Sequence, residues 1–130
     1  MKRVPAVIGL LVCEQVIVEE NTRNVTPVNC FGRRKFASFP SNPIDLTVLA
    51  FLVEGMGEMS LEAVVQSLDN MDELGRLRYP VEFKDPMMEY RCVFRLRDFS
   101  VPRAGHYQIS LIANGEIVSQ RKLVFLEKAS

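Results

Sequence analysis

The residues in this sequence that could do chemistry are few. His106 is the only conventional general base near neutral pH, and Cys13, Cys30 and Cys92 are the only thiols. A histidine serves a nucleophile it can reach, yet no Ser or Cys stands in an informative motif around His106. Its place after Gly105, at the start of a run with alternating polarity, suits a surface histidine. The cysteines are odd in number and lack C-x-x-C spacing, and with a single histidine they form no Cys/His zinc pattern. Cys30 precedes Gly32, Arg33, Arg34 and Lys35, whose charge favours a thiolate, so it is the candidate reactive thiol. Cys92 lies between Tyr90 and Phe94 on one side of a run and is expected buried and inert. An enzyme built on Cys30 or His106, a small hydrolase or thiol enzyme, therefore ranks below readings that need no catalysis.

Charged side chains offer two further possibilities. Asp69, Asp72 and Glu73 fall in one loop, and Glu82 and Asp85 in another, as calcium loops would need. Neither has an ordered aspartate repeat, and turns recruit Asp and Asn for backbone reasons alone. The basic pattern is sharper. In "EYRCVFRLRD", Arg91, Arg95 and Arg97 share one side, and Gln108, Ser110 and Lys122 from following strands are expected to extend it. Such a face could hold an anion or an acidic partner. Long cations also suit plain solvated faces and edge strands, and "GRRKF" (32–36) reads as solvent-facing for that reason.

Sixteen basic residues balance sixteen acidic ones, so no overall field favours nucleic acid or an anionic membrane. No aromatic residues interleave with the arginines to stack bases. A chain of 130 residues with 48% apolar and 25% charged residues is expected to fold as one domain, 1–130. The opening "MKRVPAVIGLLVCEQ" imitates a lipoprotein signal, but Pro5 breaks the apolar run and Val12 replaces the small residue such a site prefers. A buried first strand is expected instead, with reduced thiols in a cytoplasmic protein, no cofactor and no membrane insertion.

The elements that would position these residues follow a period of two. Met59, Leu61, Ala63 and Val65 alternate with polar neighbours, as do Tyr90, Cys92, Phe94 and Leu96, and Tyr107, Ile109, Leu111 and Ala113. "IDLTVLAFLVEG" is apolar on both sides: Leu49, Phe51 and Val53 back a row of Ile44, Leu46, Val48, Ala50 and Leu52. A strand covered on both faces, or a contact with a second copy, would explain it. "TPVNCFGRRKFASFP" reads as a strand interrupted at Gly32 and stopped by Pro40 and Pro43. Asn114-Gly115 predicts a type I′ hairpin, and Tyr107, just after Gly105, is placed for a tyrosine corner or for plain core packing. "LDNMDELGRLRYP" predicts one helical turn near residues 69–75, ended by Gly75.

The stretches "RYPVEFKDP" and "VPRAGHYQISLIANGEIVSQRKLVF", with "AVIGLLVCEQVIVEENTRNVTPVNCFG" and "FASFPSNPIDLTVLAFLVEG" before them, resemble a family of small bacterial proteins of uncharacterised function. The resemblance implies an immunoglobulin-like or C2-like β-sandwich and transfers no active site. The expected architecture is thus an all-β antiparallel sandwich of about seven to nine strands with at most one short helical turn. The expected function is a non-enzymatic binding or scaffold module that contacts a protein partner or a second copy through a sheet face or edge. Arg91, Arg95, Arg97 and Lys122 are its candidate binding face, and Leu49, Phe51 and Val53 its candidate self-association surface. A C2-like domain binding an ion or anionic ligand at its loop ends is the alternative.

Overall fold

In the computed structural model, which describes residues 1–129, the alternating runs become nine strands. They are β1 (Ala6–Val18), β2 (Val25–Cys30), β3 (Arg33–Phe36), β4 (Ile44–Val53), β5 (Gly57–Ser67), β6 (Glu73–Phe83), β7 (Tyr90–Phe99), β8 (Gly105–Ala113) and β9 (Glu116–Glu127). One sheet runs β2-β1-β4-β7 and the other β3-β9-β8-β5-β6. Their dry faces leave water only against each other, which makes a β-sandwich. Leu46, Val48 and Leu52 from β4 are fully buried in the same cluster as Leu61 and Val65 from β5, Ile109 and Leu111 from β8, and Leu123 and Phe125 from β9.

Register makes the rows coincide. Leu61 lies opposite Ala113, Ala63 opposite Leu111 and Val65 opposite Ile109, so each apolar row of β5 meets one of β8 on the core side. The β8–β9 hairpin turns at Asn114 and Gly115, both with positive φ (50° and 82°), as a type I′ turn requires. At the other end of β8, Tyr107 is buried and its hydroxyl donates to the Arg103 carbonyl, four residues upstream. That is the tyrosine-corner arrangement.

Two expectations require correction. Residues 69–75 form no helical turn: Leu68–Asn70 make the β5–β6 turn and Glu73 already begins β6. Gly75 does not end a helix; a Cβ there would sit 2.8 Å from Leu96 Cδ2, so it allows β6 to approach β7. Nor is the sandwich wholly antiparallel. β3 runs parallel to β9, with Arg33 opposite Val124 and Phe36 opposite Glu127.

β1 does two jobs. From Ala6 to Cys13 it pairs with β4, and from Cys13 to Val18 it pairs with β2. Past Cys13 the β1–β2 hairpin leaves the plane of its sheet and lies across the outer face of β4 and β7. Three hydrogen bonds trace the path: Thr47 Oγ1 to the Glu14 carbonyl (3.1 Å), Arg95 Nη2 to the Val16 carbonyl (3.2 Å) and Arg91 Nη1 to the Arg23 carbonyl (3.4 Å). Beneath this arm is a second, smaller core of Cys13, Val16 and Leu49, with Leu11, Val18, Val25, Phe51 and Val93 packed around it. The doubly apolar character of β4 follows directly: one row faces the opposite sheet, and Leu49 and Phe51 of the other face the arm.

Candidate functional site

Two of the residue groups singled out in the sequence meet on this outer face. Phe51 lies opposite Arg91, Leu49 opposite Val93 and Thr47 opposite Arg95, so the second apolar row of β4 runs beside the arginine row of β7. Leu49 is fully buried under the arm, whereas Phe51 and Val53 remain half-buried.

The arginines divide by role. Arg91 donates through Nε to Glu89 Oε2 (3.1 Å) and through Nη1 to the Arg23 carbonyl and Asn24 Oδ1. Arg95 holds the Val16 carbonyl. Both fasten the arm by giving backbone oxygens that β-pairing leaves free a charged donor. Arg97 lies farther along, in the cleft between β6 and β7 with Leu74, Arg76 and Asp98, and has no ion-pair partner among the described residues. Lys122 does not belong with them. β9 lies in the other sheet, where Lys122 is opposite Gln108, so the four cations share no face. The sequence expectation failed because β7 and β8, though consecutive, cross between sheets.

Between the arm's tip and the start of β7 lies a groove of about 540 Å³. Val18, Val25 and Val93 give it an apolar floor, and Tyr90 and Met88 flank it; Thr22, Arg23, Glu89 and Arg91 bring polar groups to its rim. Met88 is 54% exposed, and Ile17, on the outward side of the arm, is 53% exposed. Tyr90 is held in place, because its hydroxyl accepts from the backbone N–H groups of Lys84 (2.9 Å) and Asp85 (3.3 Å). Sequence reading passed over this groove. The signals were "VIVEENTRNV", a β-branched run turning on itself, and the exposed pair Met87-Met88 in "KDPMMEY".

The remaining chemistry-bearing residues are dispersed. His106 is exposed on β8, its backbone N–H donating to Asp69 Oδ2 (3.2 Å), while Cys30 is exposed on β2 in the other sheet. The structure does not bring them together. Asp69, Asp72 and Glu73 sit at one end of β6, with Glu82 and Asp85 at the other, so the two acidic loops do not converge. Among the described residues no group of three His, Cys, Asp or Glu side chains is placed to hold a metal. In "GRRKF", Arg33 and Lys35 are exposed but Arg34 turns inward. Its guanidinium lies 5.5 Å from the Phe31 ring centre and 5.4 Å from that of Phe36, and 3.4 Å from Glu14. There it packs the arm's root against β3 and is not part of a solvated patch.

No helix among the described residues is long and apolar enough to cross a membrane. Neither a protein-family model nor a curated protein matches the chain.

Proposed function

We propose that this protein is a non-enzymatic binding module that docks an extended segment of another protein in the groove beside the β1–β2 arm. The observation that carries the reading is one juxtaposition: a partly exposed apolar floor of Val18, Val25 and Val93 with Arg23 and Arg91 at its rim. An apolar side chain would desolvate the floor, and an acidic neighbour would meet the exposed Arg23 guanidinium. The ligand is therefore an apolar segment with an acidic flank. The candidate thiol and histidine lie on different sheets, so they do not form a nucleophile–base pair.

The module is read as immunoglobulin-like. Supporting that subtype are the order β3-β9-β8-β5-β6 facing β1-β4-β7, the parallel β3–β9 pair and Tyr107 at the start of β8.

Met88 and Arg23 are exposed and stand at the groove, so Met88→Asp and Arg23→Glu should leave the fold intact. Affinity capture from native cells should retain specific proteins on the wild-type chain and lose them on both variants. Proteins retained equally by all three chains would defeat the groove assignment. Light scattering that shows a dimer dispersed by Met88→Asp would identify the occupant as a second copy of this chain.

A further inference from the structure

We propose that Cys13 and Cys30 form a dithiol site that closes to an intrachain disulfide when a low-molecular-weight disulfide supplies the oxidising equivalents. The inference is independent of the docking groove and rests on strand register. Cys13 of β1 lies directly opposite Cys30 of β2. A backbone bond runs from the Phe31 N–H to the Val12 carbonyl (2.9 Å), one residue beyond Cys30 and one before Cys13. Hydrogen-bonded and non-hydrogen-bonded pairs alternate along an antiparallel ladder, so a bond between Val12 and Phe31 makes the adjacent Cys13–Cys30 pair the narrow, non-hydrogen-bonded kind, whose Cα atoms stand about 4.5 Å apart with their side chains closest. This separation lies inside the range a disulfide spans without moving the backbone, about 4.4–6.8 Å.

The two thiols differ in what reaches them. Cys30 is exposed; Cys13 is fully buried beside Leu49 and Val16, its Sγ 3.7 Å from the Thr47 carbonyl. Burial, assisted by the neighbouring Cys30 thiol, pushes Cys13 up to about 11. Order of reaction follows from access. The Cys30 thiolate attacks one sulfur of the reagent RSSR; its S–S bond breaks, and one RS⁻ leaves and takes up a proton, so that Cys30 carries a mixed disulfide. Cys13 then loses its proton, and its thiolate attacks the Cys30 sulfur, expelling the second RS⁻ as RSH. The protein gives up two electrons and two protons in all, and RSSR becomes two RSH.

The bond would form at a mechanically significant place. Cys13 pairs with Thr47 of β4 as well as with Cys30, at the residue where β1 leaves β4 to become the arm. A covalent link there ties both strands of the arm to the sheet they cover. Cys92 cannot take part, because it packs against the main core on the opposite side of the sheet, opposite Ala50.

The test treats the folded full chain with oxidised glutathione, quenches with acid, alkylates after unfolding and maps the peptides by mass spectrometry. Expected are a peptide pair joined through Cys13 and Cys30, a loss of two hydrogens from the intact chain, and an alkylated Cys92. Cys13→Ser, or Cys13→Ala where the serine fails to fold, should accumulate glutathione on Cys30. Cys30→Ser should form no link. A wild-type chain that keeps glutathione on Cys30, links Cys30 to a second chain, or leaves Cys30 unreacted would overturn the proposal.

Discussion

Leu49 offers the most direct test of the arm. It sits on the outward row of a sandwich sheet, where an ordinary two-layer fold would leave it wet, yet it is fully buried with Cys13 and Val16. Leu49→Ala removes three buried carbons, worth about 2.4 kcal/mol at roughly 0.8 kcal/mol for each methylene. A residual cavity adds to that, and large-to-small changes of this kind span about 2–5 kcal/mol. The satellite cluster is small and ringed by half-buried Leu11, Val18, Val25, Phe51 and Val93, which can close in. The expected loss is therefore near the lower end, about 2.5–3 kcal/mol. In urea, with a slope of about 1.5 kcal/mol/M for a chain of this size, the midpoint should fall by roughly 2 M. Amides of residues 14–30 should exchange faster in the variant than those of β8, because the arm loses its anchor and the main core does not. Val16→Ala should show coupling to Leu49→Ala when the two are combined, since both side chains belong to the same three-residue buried cluster. A loss for Leu49→Ala below about 0.5 kcal/mol, the usual range for surface substitutions, would refute the covered face.

Other consequences are simpler to check. Tyr107→Phe leaves the Arg103 carbonyl without its donor and should cost about 1–2 kcal/mol by chemical denaturation, with little change in circular dichroism. Gly115→Ala meets no neighbouring atom but must hold φ near +82°, so it should destabilise by about 1 kcal/mol through backbone strain alone. Burial pushes the Cys92 thiol from 9.0 up to about 11. The folded state thus keeps a proton that the unfolded state gives up first. Stability from this group is complete below pH 9.0 and is lost as pH rises through about 11. Melting temperatures measured across that window should fall less steeply in Cys92→Ala. Arg76 holds Glu73 below the usual carboxylate range, so whatever this exposed pair contributes is present above the ordinary carboxylate pKa and fades as acid protonates Glu73.

Much of the fold is local and was legible in residue order. Side chains in extended chain alternate between faces, so the buried rows of β5, β7 and β8 can be read from polarity alone. Asn114-Gly115 announces its hairpin because few other dipeptides accept two positive φ values. Tyr107 at its corner is likewise a matter of short spacing, with its acceptor four residues away.

Partnership between distant strands is a different matter. The period of two says which side chains share a strand face, but it carries no information about which strand lies alongside. Lys122 aligns with Arg97 only if neighbours in sequence are neighbours in a sheet, whereas β7 and β8 belong to opposite layers. "GRLRY" has helix-like punctuation at Gly75, and only the approach of Leu96 from β7 shows why a glycine is needed there. The groove and the covered face share that origin. Val16 and Val18 alternate correctly on paper, but the surface they bury belongs to β4 and β7, far along the chain. Sequence by itself determined the strands, their wet and dry sides and the final turn, because those depend on backbone geometry within a few residues. Tertiary structure decided that Arg91 and Arg95 clasp an arm and that Leu49 is covered by it, since such contacts exist only after long loops have closed and apolar area has been shared out among the strands.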